Sequence, residues 1–259
     1  MKENHADALE TAVLAGNILL GSGAEIFRVE DTILRIAHAY GVHSCNTFIF
    51  SSGIFTTAGG VNEEYFAKVK HIPISGVRLD KVEAVNQLSR EIVAGQHSVE
   101  EAYAKLMEIS VLPKRNPLVR IVASGIGCAS FCFLFGGSIK DCLSALVVGM
   151  LLYSFLYRTE DKKLSKITRY ICGGALITLC AIILCRLGLG DHFDQIIIGS
   201  IMPMIPGVSF TNAIRDIADG DYIAGSVRML DALLITFCIA GGVGIVYTVV
   251  SRFFGGAIL

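Results

Sequence analysis

The amino-acid sequence predicts an α-helical membrane protein with about five transmembrane helices, preceded by an α+β cytoplasmic domain. Hydrophobic residues make up 53% of the 259 positions and charged residues only 17%, whereas an average soluble domain carries roughly 25% charged residues. Residues 1–117 hold 11 Lys/Arg and 14 Asp/Glu, while the longer segment 118–259 holds 11 and 9. An acidic head of ordinary polarity therefore precedes a charge-poor segment that is long enough to lie in a bilayer.

The head is predicted to be a domain over residues 1–112 with the element order ααβββαα. Apolar residues spaced three and four apart indicate helices, and alternating β-branched and aromatic residues indicate strands. Helices are expected over 6–20, 24–39, 78–94 and 98–109, and strands between Val42 and Gly60 and over 68–74. Pro113 and Pro117 delimit a short linker, residues 113–117, before the transmembrane domain 118–259.

Long apolar runs in the second part of the chain predict the membrane spans. Four of them lie at about 118–135, 142–157, 170–187 and 230–250. Each is close to the roughly 20 residues that a helix needs to cross about 30 Å of hydrocarbon. A fifth run, about 195–208, is shorter and contains Pro203, Pro206 and Gly207. This run fits either a spanning or a re-entrant segment.

The positive charges that flank these runs predict the orientation of the chain. Ten Lys/Arg lie on one set of flanks, whereas the opposite set holds only Lys140, Arg186 and Arg252. Because positive flanks stay in the cytoplasm, the N-terminus is expected inside and the C-terminus outside.

Several classes of protein are excluded by motifs that the sequence lacks. Acidic residues interrupt the first ten positions, which argues against a cleavable signal peptide. A basic patch with interleaved aromatic residues is missing, so nucleic acid is not an expected partner. Neither a Walker-type loop nor a Rossmann fingerprint occurs, and the His and Cys residues lack metal-ligand spacing. We therefore expect no cofactor, no metal and no ATP motor.

The segment after Pro206 combines a helix break with a cluster of polar residues. Pro206 has no N–H and Gly207 is conformationally permissive, so a new helix is expected near Val208. At 100° per residue, one half of this helix is apolar and the other half is polar. The polar half carries Ser209, Thr211, Asn212, Arg215, Asp216 and Asp219.

Two interpretations of this polar face stay open. Broken helices in transporters direct free N–H groups toward anionic substrate groups. Ser209, Thr211 and Asn212 would then bind hydroxyl or ammonium groups, Arg215 a carboxylate, and Asp216 or Asp219 a coupling proton. The alternative is a solvated surface or re-entrant helix. Asp219-Gly220-Asp221 also resembles a motif of intramembrane aspartyl proteases, but Ala218 stands where that motif has Gly, so an enzyme is not expected.

A second charged cluster lies in the head, around Glu25, Arg28 and Glu30. Glu25 and Arg28 are three residues apart, and Asp31 and Arg35 are four apart, so each pair fits one face of a helix. These residues are secondary candidates for the functional site, and a salt-bridged surface helix is the alternative.

Both clusters resemble the threonine/serine exporter family. The resemblance rests on Gly21-Ser22-Gly23-Ala24-Glu25 followed by Arg28-Val29-Glu30, and on the segment from Pro206 to Asp216 followed by Gly220-Asp221. It implies a secondary exporter of small amino acids in the bacterial inner membrane, driven by the proton gradient. Some relatives resemble exporters of short dicarboxylates of the succinate type instead.

The chain differs from the long members of that family, which have roughly twice as many spans. It resembles only their larger half, which implies a separate small multi-span membrane subunit and a hetero-oligomer. The expected ligands are thus a carboxylate-bearing small molecule and the lipid bilayer. A regulatory or scaffold subunit that does not itself transport is a further alternative.

Overall fold

The computed structural model describes residues 2–59, 66–72, 76–160 and 164–253. The predicted positions Gly60, Pro73, Ile74, Lys162 and Lys163 lie outside these ranges. The chain divides into two compact units, which we call the N-terminal unit (Met1–Pro113 with Gly207–Leu230) and the membrane unit (Lys114–Pro206 with Asp231–Leu259). The helix after Pro206 therefore belongs to the same unit as the head.

Four helices form the first layer of the N-terminal unit. They are α1 (Lys2–Gly21), α2 (Ile26–Ala39), α3 (Leu79–Val93) and α4 (Val99–Ser110). Gly16 lets α1 and α2 approach closely, because a Cβ at this position would collide with the Ile33 side chain. Helix α4 begins with a capping box, in which Ser98 and Glu101 each accept a hydrogen bond from the other's backbone N–H.

A three-stranded antiparallel sheet of order β1-β2-β3 completes the predicted ααβββαα sequence of elements. Its strands are β1 (Cys45–Phe50), β2 (Gly53–Ala58) and β3 (Phe66–His71). Ile49 pairs with Ile54, and both are buried, whereas the neighbouring pair Phe48 and Phe55 is exposed. This alternation is the two-residue period of a sheet that has one face on the core.

Helix α9 (Gly207–Ala218) and the first turns of α10 (Tyr222–Phe253) complete the N-terminal unit. They pack tightly, since a Cβ on Gly225 would lie 2.6 Å from Cγ1 of Ile217 and 2.9 Å from the Ala213 carbonyl oxygen. Ala224 joins the apolar core of this unit.

The membrane unit is built from helices that are apolar along most of their length. They are α5 (Pro117–Leu134), α6 (Ile139–Glu160), α7 (Lys166–Arg186), α8 (Phe193–Ile201) with a short 3-10 turn (Met202–Met204), and the remainder of α10. Small residues allow close contacts: a Cβ on Gly149 would lie 2.5 Å from Sγ of Cys128, and one on Gly174 would lie 2.5 Å from the Ile239 carbonyl oxygen.

Within the described residues, four helices are long and apolar enough to cross a membrane: α5, α6, α7 and α10. A fifth span results if the broken pair Phe193–Met204 and Gly207–Ala218 counts as one. The expected number of about five is thus four or five. Side chains such as Phe133, Leu143 and Phe237 are more than half exposed, as lipid contact requires.

Candidate functional site

Helix α9 begins at Gly207, directly after Pro206, and buries two of its polar residues against protein. Asn212 is 9% exposed and Asp216 only 2%, while Phe210 is 40% and Ile214 51% exposed. The buried side of α9 also includes Ala213 from the apolar half, whereas Thr211, Arg215 and Asp219 from the polar half are exposed. Exposed Phe210 and Ile214 are compatible with contact to lipid or a partner helix, and buried Asn212 and Asp216 need hydrogen-bond partners within the unit.

Those partners lie at the corner between α1 and α2. Gly23 has a φ of +81°, a conformation that favours glycine, and it carries the chain into the turn. The side-chain amide of Asn212 donates to the Gly23 carbonyl oxygen at 2.8 Å. Helix α2 has no cap from its own N-cap residue, Glu25, and the Ile26 N–H instead donates to Oδ1 of Asp216 at 3.2 Å. A carboxylate from α9 thus caps α2 and complements the positive end of its dipole.

Arg228 of α10 neutralises this carboxylate. Its Nη1 donates to Oδ2 of Asp216 at 2.8 Å, and its Nη2 donates to the Ala24 carbonyl oxygen at 3.0 Å. The Arg228 side chain is 11% exposed. We call Asn212, Asp216 and Arg228 the corner network. It joins three separate segments of the N-terminal unit through one buried ion pair and its hydrogen bonds.

A pocket of about 440 Å³ lies beside the corner network, within the N-terminal unit. The α2 segment lines it with Glu25, Phe27, Arg28, Asp31, Thr32 and Arg35. The remaining wall consists of Asn86, Ser89 and Arg90 from α3, and Arg215 and Asp219 at the end of α9. Four arginines face three acids, so the pocket carries an excess of one positive charge. Its size lies in the range of small-molecule sites.

Glu25 organises the charges at one side of this pocket. Its carboxylate accepts from Nε of Arg28 at 3.0 Å and also forms an ion pair with Arg215. Arg28 follows Glu25 by three residues on α2, whereas Arg215 comes from α9. The two clusters expected from the sequence therefore meet at one carboxylate.

The structure separates the predicted site residues into groups. Glu25, Arg28, Arg215 and Asp219 line the pocket, and Asn212 and Asp216 belong to the corner network. Ser209 is half-buried and Thr211 exposed, and neither hydroxyl has a hydrogen bond to a described residue. Glu30 is not part of the pocket lining, and burial together with the nearby charge of Asp221 raises the pKa of its carboxyl group.

Sequence reasoning missed Arg228 as a site residue and treated it only as a positive flank. Its position could have indicated a role in the site, because a lone cation near the start of an apolar helix needs a partner. No sequence feature distinguished Asn86, Ser89 and Arg90, which lie on an ordinary amphipathic helix. Within the described ranges, no group of three or more His, Cys, Asp or Glu side chains is arranged to hold a metal ion.

Four or five apolar spans and a charged, solute-sized pocket define a multi-pass helical membrane protein with a candidate site for a small polar ligand. The chain belongs to the threonine/serine exporter family, which it matches over residues 10–250. This match confirms the resemblance seen in the two motifs.

A curated relative is similar over most of the chain. A threonine/serine exporter of Corynebacterium glutamicum is 26% identical over 248 residues, which cover 93% of this chain and 50% of the relative. The chain thus spans about half the length of that relative. No solved structure matches the chain.

Proposed function

We propose that this chain is one subunit of a secondary exporter of small amino acids of the threonine/serine type. The observation that carries the proposal is the family match, which extends through both the N-terminal unit and the apolar helices. A proton gradient is the energy source that the resemblance to this family implies. The membrane is the bacterial inner membrane, and the chain crosses it several times.

A second, small multi-span membrane protein completes the exporter in this proposal. The exposed apolar side chains of the membrane unit offer surface both to lipid and to such a subunit.

The contacts of the site residues support the following roles. Arg215, which also pairs with Glu25, is one candidate for holding the carboxylate of a substrate, and Asp219 is an acid that attracts its ammonium group or carries a proton. Asp216 is the second candidate for the coupling proton. Protonation would remove the charge that pairs with Arg228 and would weaken the bond from the Ile26 N–H, which loosens α9 from the corner. Ser209, Thr211 and Glu30 are further candidates for contact with substrate or proton.

Reconstitution tests this proposal. The chain is placed in proteoliposomes with and without the small membrane protein that copurifies with it, and the vesicles are loaded with L-threonine, L-serine or succinate. We expect efflux of the two amino acids only with both proteins and an imposed proton gradient. Arg215→Ala and Asp216→Asn should abolish efflux while the proteins still assemble, and Arg115→Ala, at an exposed linker position, serves as the matched control. Normal efflux from both site variants would refute the assignment of the site.

Two observations favour alternative functions, which the same assay separates. The four arginines of the pocket suit a dicarboxylate, and faster efflux of succinate than of either amino acid would establish that substrate class. The polar residues of α9 join the N-terminal unit, which suits a regulatory or scaffold subunit. Efflux by the complex that is insensitive to Arg215 and Asp216 would support this second alternative.

A further inference from the structure

We propose that the pocket of the N-terminal unit binds a free zwitterionic amino acid through Arg90 and Asp219. That the amino acid is of the threonine/serine type rests on the proposed function. The location of the site rests on the pocket itself, which is lined by α2 with its N-cap residue Glu25, by α3, and by Arg215 and Asp219 at the end of α9.

Most charges in the pocket are already neutralised by one another. Glu25 is shared between Arg28 and Arg215, and Asp31 forms an ion pair with Arg35 four residues later. These contacts shape the pocket, and their charges are partly satisfied before any ligand arrives.

Arg90 and Asp219 lie on two different walls of the pocket, and neither has an ion-pair partner among the described residues. Arg90 donates from Nη2 to Oε1 of Gln87 at 2.7 Å, and no described carboxylate pairs with its charge. The carboxylate of Asp219 has no ion pair or side-chain hydrogen bond to any described residue. A free amino acid carries one group for each: its carboxylate suits the guanidinium, and its ammonium suits the acid.

The surrounding groups favour a small ligand with a polar side chain. Asn86 provides an amide. The Thr32 hydroxyl donates to the Arg28 carbonyl oxygen at 2.8 Å and can only accept from a ligand. Phe27, whose side chain is 62% exposed, provides an apolar surface at the rim. The volume accommodates an amino acid with several water molecules of about 30 Å³ each. A dicarboxylate would place its second negative charge in a pocket that contains the unpaired Asp219, so Asp219 selects against it.

Calorimetric titration of the full chain in lipid nanodiscs tests the site directly. L-threonine and L-serine are titrated against the unmodified chain, and succinate serves as the anion without an ammonium group. We expect Arg90→Gln to weaken L-threonine binding at least tenfold. Asp219→Asn should weaken L-threonine binding by a similar factor but should not weaken succinate binding. Arg115→Gln and Asp7→Asn make the same chemical changes at exposed positions outside the pocket and should bind as the unmodified chain does.

The outcomes separate this inference from the proposed function. Absence of amino-acid binding, or binding that neither pocket variant changes, overturns the proposed binding site even if proteoliposomes export threonine. Succinate binding that is tighter than L-threonine binding and unaffected by Asp219→Asn also overturns it. Pocket-dependent L-threonine binding in a chain whose complex exports neither amino acid would keep the site and refute the exporter.

Discussion

Asp216 shows how a buried charge is accommodated in a chain with few charges. Its side chain is 2% exposed, and its two oxygens have separate partners, the Ile26 N–H and the Arg228 guanidinium. Removing two charges from water costs several kcal/mol per ion, and only good geometry with further hydrogen bonds offsets that cost. Arg228 also donates to the Ala24 carbonyl oxygen, so the pair links α9 and α10 to the corner before α2.

Replacing Asp216 by Ala is expected to destabilise the N-terminal unit by about 3 kcal/mol, because it leaves the Arg228 guanidinium buried without its counter-charge. The double variant Asp216→Leu/Arg228→Met removes both charges and should regain much of the loss. Urea unfolding of the purified protein in detergent measures the difference, with the exposed Asp7→Ala as the control within about 0.5 kcal/mol. A double variant as unstable as Asp216→Ala would contradict the ion-pair explanation.

The members of the site were partly predictable from the sequence, and their contacts were not. Periodicity placed Asn212 and Asp216 on one face of α9, and the i, i+3 spacing placed Glu25 beside Arg28. Asp216 and Ile26 are separated by 190 positions, and so are Arg215 and Glu25. Contacts at such separations depend on the tertiary fold, and local spacing carries no information about them.

At the scale of the elements, local patterns predicted most helices within a few residues. Helix α3 was expected over 78–94 and is observed over Leu79–Val93, and the run expected at 118–135 is α5, Pro117–Leu134. The start of the last helix was expected near 230 and lies at Tyr222. The added segment contains Arg228, which lowers local hydropathy although the corner network stabilises it there.

The orientation of α9 was not predictable from its amphipathic pattern. In water, the apolar face of a helix is the buried one, but beside a bilayer the apolar face can be the outer one. The amphipathic pattern of α9 determines which residues share a face, but it does not determine which face is turned toward the protein. The partners of Asn212 and Asp216 settle that direction inside the N-terminal unit.

The contact between α9 and α10 depends on a glycine. Gly225→Ala would place a Cβ against Cγ1 of Ile217 and the Ala213 carbonyl oxygen, at 2.6 Å and 2.9 Å. We expect a loss of about 1–3 kcal/mol from this overpacking, measured by urea unfolding together with the rate of limited proteolysis near residue 220. Gly244→Ala in the same helix has no heavy atom within 4 Å of its new Cβ and should be neutral or stabilising by up to about 1 kcal/mol. Equal effects of the two substitutions would contradict the packing argument.

At the scale of the whole molecule, the division into units bears on how often the chain crosses the membrane. Residues 1–113 and 207–230 belong to one unit and are therefore expected on one side of the bilayer. Three candidate spans, α5, α6 and α7, lie between them. Because three crossings would end on the opposite side, we predict one more crossing between 187 and 206.

The predicted fourth crossing contains too little helix to span the hydrocarbon layer. Nine residues of α8 at 1.5 Å each give roughly 14 Å, and the 3-10 turn at about 2 Å per residue adds about 6 Å, which is less than about 30 Å of hydrocarbon. Irregular backbone would have to complete the predicted crossing, and such backbone is tolerated only where protein or water covers it. In the structure, protein covers part of this segment, because Ile196 and Ser200 are fully buried and a Cβ on Gly199 would lie 2.7 Å from Cβ of Cys132.

Helix α10 then makes a fifth crossing, so we predict that the C-terminus lies outside and the N-terminus in the cytoplasm. The positive flanks, ten against three, favour the same orientation. Alkaline phosphatase fused to the C-terminus of the full chain should be active, and green fluorescent protein fused there should be dark, because the first matures outside the inner membrane and the second inside. Fluorescent protein at the N-terminus is the matched control and should be bright. A bright C-terminal fusion with inactive phosphatase would mean an even number of crossings, with 187–206 entering and leaving on one side.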